Sequence, residues 1–174
     1  MTILTQNFAL LEKQVAEHVA ADEVIQGNYW TGSKGCFIGC LAHSDQPLDA
    51  VAKFGLTVPI LRIAEGIFEE LPADEAKAFF AAFPAAVACD GKDLSRVHWQ
   101  FLAAELRALP EQKPSIQAVI DPVIAGMDLL AAGEPWPAAA YAAYAAARAA
   151  AASARAAARL RQRDTLLRLI ADAV

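Results

Sequence analysis

The chain has 174 residues, a formal net charge of −5 and three cysteines. That length suits one domain with a real core, and an acidic balance argues against a nucleic-acid surface, which needs a basic patch. Hydrophobic residues make up 56%, much of it alanine, so the mean hydropathy of +0.30 overstates how apolar the chain is. Ala, Leu, Glu and Arg outweigh β-branched and aromatic residues, which points to helix throughout.

The opening "MTILTQNFALLEKQVAEHVAADEV" lacks a basic leader segment and is acidic and interrupted, so it does not read as a signal peptide. Its spacing predicts a first helix from about Thr2 to Ala21, with Leu4, Phe8, Leu11, Val15 and Val19 on the apolar face. "QGNYWTG" breaks that helix. Ser33 is expected to cap a short second helix through Ala42. "SDQP" restarts the chain, and a short helix over Leu48–Phe54 stops at Gly55. Thr57 is expected to cap the following helix, with Pro59 in its first turn and Pro72 beyond its end. A helix from about Ala73 to Cys89 contains Pro84, where a kink or break is expected.

Asp93 is expected to cap "LSRVHWQFLAAELRAL", with Leu94, Val97, Phe101, Ala104 and Leu109 buried. "PSIQAVIDPVIAGMDLLAAG" follows, kinked at Pro122 and ended by Gly133. Residues 138–174 contain neither Gly nor Pro. As one helix they would run roughly 55 Å, more than such a domain can cover. No stretch reads as a hairpin. The expected fold is all-α: a single-domain bundle of about seven to eight helices, with residues 1–136 as the body and 137–174 as a long Ala- and Arg-rich C-terminal helix.

Charge is uneven along the chain. From Pro137 onward six arginines (Arg148, Arg155, Arg159, Arg161, Arg163, Arg168) face Asp164 and Asp172, leaving +4, while the rest carries nine basic and eighteen acidic groups, or −9. Leu160, Leu167 and Val174 recur every seven residues beside Ile170, a short apolar seam. The seam is expected to pack on the body or on a second copy, and a homodimer is favoured. The uncharged run Pro135–Ala147 is too short to span a bilayer. With an odd cysteine count and no leader, a disulfide framework is not expected. The reading is a soluble cytoplasmic protein with reduced thiols and no membrane partner.

The chemistry-bearing stretch is "TGSKGCFIGCLAH" at 31–43. A phosphate loop is excluded, because the order is Gly-Ser-Lys and a helix rather than a strand precedes it. A small anion at the amides of Lys34, Gly35 and Cys36 is a weaker version of that idea. Cys36, Cys40 and His43 lie one turn apart pairwise, but 36 to 43 climbs about 10 Å and a fourth ligand is missing, so no metal and no cofactor is expected. Cys36 near a helix N-terminus with Lys34 beside it is the pattern of an activated thiol, but it lacks a nearby base. Core packing explains the stretch best: no charge falls between Gly35 and Ala42, and glycine with cysteine lets helices approach closely. Arg62 and Glu65, three apart on one helix with Glu69 beyond, read as an ion pair. His98 and Trp99 read as a satisfied pair at the edge of a buried stripe.

The segments "GNYWTGSKGCFIGCLAHSD", "FGLTVPILRIAEGIFEELP" and "GKDLSRVHWQFL" together resemble a family of bacterial proteins with a Gly-Lys-Gly-Cys-x-x-Gly-Cys-x-x-His stretch and a later Leu-x-Arg-x-x-Glu-x-x-Phe-Glu-x-Leu-Pro stretch. The matching positions are Lys34 to His43, with Ser33 in place of the first glycine, and Leu61 to Pro72. The resemblance covers the first two-thirds of the chain and implies no activity. It implies that the 33–42 helix, Arg62 and Glu65 belong to one arrangement. The weak ligand-binding candidates are therefore Ser33, Lys34, Gly35, Cys36, Cys40, His43, Arg62 and Glu65, with no catalytic residue assigned. The leading functional expectation is a non-enzymatic helical binding or assembly protein. The alternative is a thiol-dependent enzyme or sensor using Cys36 on a small anionic or electrophilic ligand.

Overall fold

A computed structural model describes residues 2–137, and within them the protein is all-α with seven helices and no sheet. The expected C-terminal helix lies outside the described residues. The helices are α1 (Phe8–Ala20), α2 (Phe37–Ala42), α3 (Pro47–Phe54), α4 (Val58–Glu70), α5 (Ala73–Val87), α6 (Val97–Arg107) and α7 (Pro114–Ala132). The chain divides into two compact units, one spanning Met1–His98 and a second beginning at Trp99. That division falls inside the stretch expected to be a single body.

The first unit is built around α2. Phe37, Ile38, Cys40 and Leu41 are completely buried, because a six-residue helix with no charge has no face to give to water. The Phe37 ring stands edge-on to Phe68, Phe80 and Phe83 at centroid distances of 6.1, 5.4 and 5.0 Å and stacks on Phe79 at 5.5 Å. Phe68 comes from α4 and the other three from α5. Leu11 and Val15 of α1, Ala50 and Phe54 of α3, and Leu61 and Ala64 of α4 complete the core.

The first helix starts six residues later than its periodicity predicts. Residues 4–6 are extended and hydrogen-bonded elsewhere: Thr5 N–H donates to Lys92 O at 2.9 Å, Gly91 N–H to Thr5 O at 2.7 Å and Gln6 N–H to Phe54 O at 3.0 Å. The Thr5 hydroxyl donates to Cys89 O and accepts from Lys92 N, both at 2.8 Å. Non-local bonds therefore take the amides that a longer helix would have used. The helix begins where Asp90 Oδ1 accepts the Phe8 amide at 2.7 Å, a carboxylate at the positive end of the helix dipole. Its buried face also differs. Leu4 and Val19 are exposed, whereas Gln14 and His18 join Leu11 and Val15 inside.

Neither internal proline ends its helix. Pro84 lies in the last turn of α5, and α7 runs through Pro122 to Gly133, whose positive φ of 88° closes it. Gly55 ends α3 in the same left-handed conformation. Thr57 precedes α4 as expected, but its hydroxyl makes no capping bond; the Leu61 amide bonds the Thr57 carbonyl instead. In α6, Asp93 Oδ1 accepts the Ser95 amide at 2.8 Å, but the helix begins only at Val97. Val97, Ala104 and Leu109, expected inside, are exposed, and Ala103 is the buried residue. In α7 Gly126 alone is buried. Trp136 lies so close to it that a methyl group there would overlap the indole ring.

Candidate functional site

The 31–43 stretch folds differently from its expected cap. Ser33 does not begin α2; Cys36 does, in extended conformation with φ −74° and ψ −172°. The reason lies upstream. Ile25 N–H donates to Gly35 O at 2.9 Å, and Gly35 N–H to Glu23 O at 3.1 Å. Gly32, at φ +99°, turns the chain before that pairing. Residues 31–35 are thus a loop held against 23–30, with Ser33 and Lys34 exposed.

The amides proposed for an anion are already used. Lys34 N–H donates to Thr31 Oγ1 at 3.3 Å, Gly35 N–H to Glu23 O, and Cys36 N–H to Asn28 O at 2.7 Å. No cradle is left among them. Gly35 and Gly39 are instead close-approach positions, since a Cβ on either would run into the Tyr29 carbonyl oxygen.

Both core thiols are protonated groups in an apolar setting. Burial pushes the Cys36 thiol up, with Glu69 and Glu65 adding to it, against the Gly39 and Ile38 amides. Cys40 is pushed up to about 12, again mainly by burial. Its Sγ donates to Gly35 O at 3.2 Å. An activated nucleophile needs the opposite shift. Cys89, by contrast, is exposed. Treating the native protein with a chromogenic disulfide reagent is therefore expected to label one thiol per chain at once and the other two only on unfolding. Three rapidly reacting thiols would contradict the buried assignment.

Cys36 and Glu65 do meet, across a cleft of about 230 Å³ lined by Gly27, Asn28, Tyr29, Cys36, Glu65 and Glu69. Arg62 borders it. Its Nη1 donates to Glu65 Oε2 at 2.7 Å and to the Tyr29 hydroxyl at 2.9 Å. Glu69 accepts the Gly27 amide at 2.8 Å. The expected Arg62–Glu65 pair is thus formed, and its second function is to tie α4 to the 27–30 loop. Two carboxylates beside the thiol make this cleft hostile to the anionic ligand that the thiol reading required.

His43 belongs to a different cluster. It closes α2 in the left-handed conformation, φ 58°, and its Nε2 lies 2.9 Å from His18 Nε2. His18 Nδ1 lies 2.7 Å from Glu23 Oε2. Trp30 stacks on His43 at 4.7 Å with an interplanar angle of 17° and meets His18 edge-on. Burial holds His43 below the usual histidine range, with Lys53 and His18 adding to the effect and Glu23 opposing it. Gln14 anchors the cluster: its amide nitrogen donates to the Cys40 and Leu41 carbonyls, and its oxygen accepts from Lys53. Those carbonyls end a helix and have no intrahelical partner.

His18, Glu23 and Trp30 were not among the sequence candidates. A signal existed: Gln14 and His18 stand four apart on the apolar face of α1, and polar residues at buried helical spacing need partners elsewhere. Among the described residues no group of three or more His, Cys, Asp or Glu side chains is placed to hold a metal ion. Comparison with protein-family models, with curated proteins and with solved structures finds no match for this chain.

Proposed function

We propose that this is a helical binding and assembly protein that pairs with a second copy of itself through α7, its buried thiols serving packing rather than chemistry. The observation that carries this reading is the state of α7. It is 19 residues long, and by length and composition it is apolar enough to cross a membrane, yet Gly126 is its single buried residue. Ile116 and Val119 are 45% and 50% exposed. A helix of this character is covered in a working protein, and an apolar surface of this extent marks an interaction site.

A second copy suits it better than a bilayer. Asp121 and Asp128 sit within the helix, and Arg107 holds Asp128 in an ion pair. Each carboxylate at mid-membrane would cost about 2.5–3.5 kcal/mol. At a two-fold interface both remain on the polar side, where water or Arg107 reaches them. A cytoplasmic setting and membership of the Gly-Cys-x-x-Gly-Cys family, carried by Lys34–His43 and Leu61–Pro72, belong to the same reading.

Light scattering on the full chain tests it. We expect a dimer mass at roughly 50 μM, above the Kd of a modest interface, and a monomer mass for the folded Ile116→Asp/Val119→Asp variant. A full chain that is monomeric at that concentration, or one that co-sediments with neutral lipid vesicles in place of dimerising, would overturn the proposal.

A further inference from the structure

A single hydrogen serves the two facing imidazole nitrogens of His18 and His43. Their Nε2 atoms stand 2.9 Å apart, a contact in which one ring must donate and the other accept. It holds with both rings neutral or with one of them charged. With both charged, each facing nitrogen carries a hydrogen and neither can accept. Two like charges then also meet at a ring-centroid distance of 5.1 Å. The rings are not equally free to part. His18 is only 6% exposed and its Nδ1 lies 2.7 Å from Glu23 Oε2, whereas His43 is exposed at the end of α2.

We propose that this pair is an acid-operated latch between α1 and the end of α2: charging both rings drives His43 away from His18 and opens the corner that Trp30 covers. Trp30 stacks on His43 and meets His18 edge-on. Parting the rings therefore costs it one of those contacts, whichever ring it follows. Cation–π attraction favours a charged His43 against the indole, but it restores no acceptor to His18.

The elements packed around His43 set the pH at which the latch opens. Burial opposes a charged His43 most, Lys53 on α3 and His18 on α1 add to that, and Glu23 after α1 works the other way. The carboxylates of α4, Glu69 and Glu65, act on Cys36 at the opposite end of α2. Asp22, beside Glu23, is engaged by Lys77 of α5. His43 is thus held below the ordinary histidine value of 6.5, and as pH falls the unfolded chain takes up this proton first. The stability involved is fully present above that value and is lost as pH falls from it to the lower value of the folded unit. The latch is shut at neutral pH and opens in acid. None of this depends on pairing through α7.

The full chain holds three histidines, and their ring nitrogen-15 shifts report the charge on each. In a titration from about pH 8 to about pH 4.5, across the histidine range, Trp30 is expected to show proton–proton contacts to both rings at the start. Once His18 and His43 are both charged, it is expected to keep contact with one ring only. Lys53→Met is expected to move this change to higher pH and Glu23→Gln to lower pH, opposite shifts that a merely structural role would not produce. His43→Asn, which suits the left-handed backbone position, is expected to abolish the change, and His98→Gln to leave it in place. The parent titration decides the question even where a variant does not fold. Contacts from Trp30 to both rings when both are charged would overturn the proposal. So would unfolding of the unit while one of the two rings is still neutral, or the same change in His43→Asn.

Discussion

Gly39→Ala is expected to cost the first unit more than about 3 kcal/mol, beyond the usual range for overpacking. A Cβ on Gly39 would overlap the Tyr29 carbonyl oxygen and crowd its carbon. Both atoms are backbone, and that carbonyl also accepts the Cys36 amide at 3.2 Å. No side chain can swing aside to make room, so the 28–30 loop would have to lift off α2. Lifting it would also pull Trp30 from His43 and Tyr29 from Arg62. Denaturant titration measures the effect directly, and an unchanged midpoint would disprove the close approach of α2 to this loop. Gly39→Leu adds further atoms to the same collision.

Phe37→Ala is expected to destabilise the unit by about 3–5 kcal/mol, the range for emptying a buried aromatic site. Phe37 is the contact point between α2, α4 and α5, and its ring touches four other phenylalanines. Those rings come from long, regular helices that cannot collapse far into the space. Phe37→Leu, which refills most of the volume, is expected to recover more than half of the loss. Urea titrations of the two variants and the parent, at matched slope, separate packing from a change in the unfolded state. Equal losses for Ala and Leu would mean that ring geometry rather than filled volume holds the three helices together.

The helical class, the helix order and the stops at Gly55 and Gly133 were legible because they follow from local chemistry: periodicity, and a left-handed position after the last turn. The burial of Cys36, Phe37, Ile38, Cys40 and Leu41 was legible from an uncharged run. The Ser33 cap is not formed because Gly35 spends its amide on Glu23, twelve residues away, and its carbonyl on Ile25, ten away, pairings that local propensity does not encode. The start of α1 was misread for the same reason, on a longer scale, since Thr5 bonds at Cys89 and Lys92. The site followed this pattern. Arg62 and Glu65 are neighbours on one helix and were found together. His43 was named without its partners, because His18 and Glu23 reach it through tertiary packing.

The docking of Leu4 and Thr5 against residues 89–93 also bears on the order in which the unit assembles. Thr5 and Cys89 are separated by 84 positions, so the contact closes a loop that takes in every helix from α1 to α5. Loop closure on this scale is rewarded only after the intervening elements have found one another. Contacts among α1, α2 and α3 are local by comparison and can form while the chain is still short. On the ribosome Thr5 therefore lacks its partners until Lys92 has been synthesised and has left the exit tunnel, whereas Gln6 can meet Phe54 earlier. Thr5 is thus among the first residues of the unit to be made and among the last to be fastened.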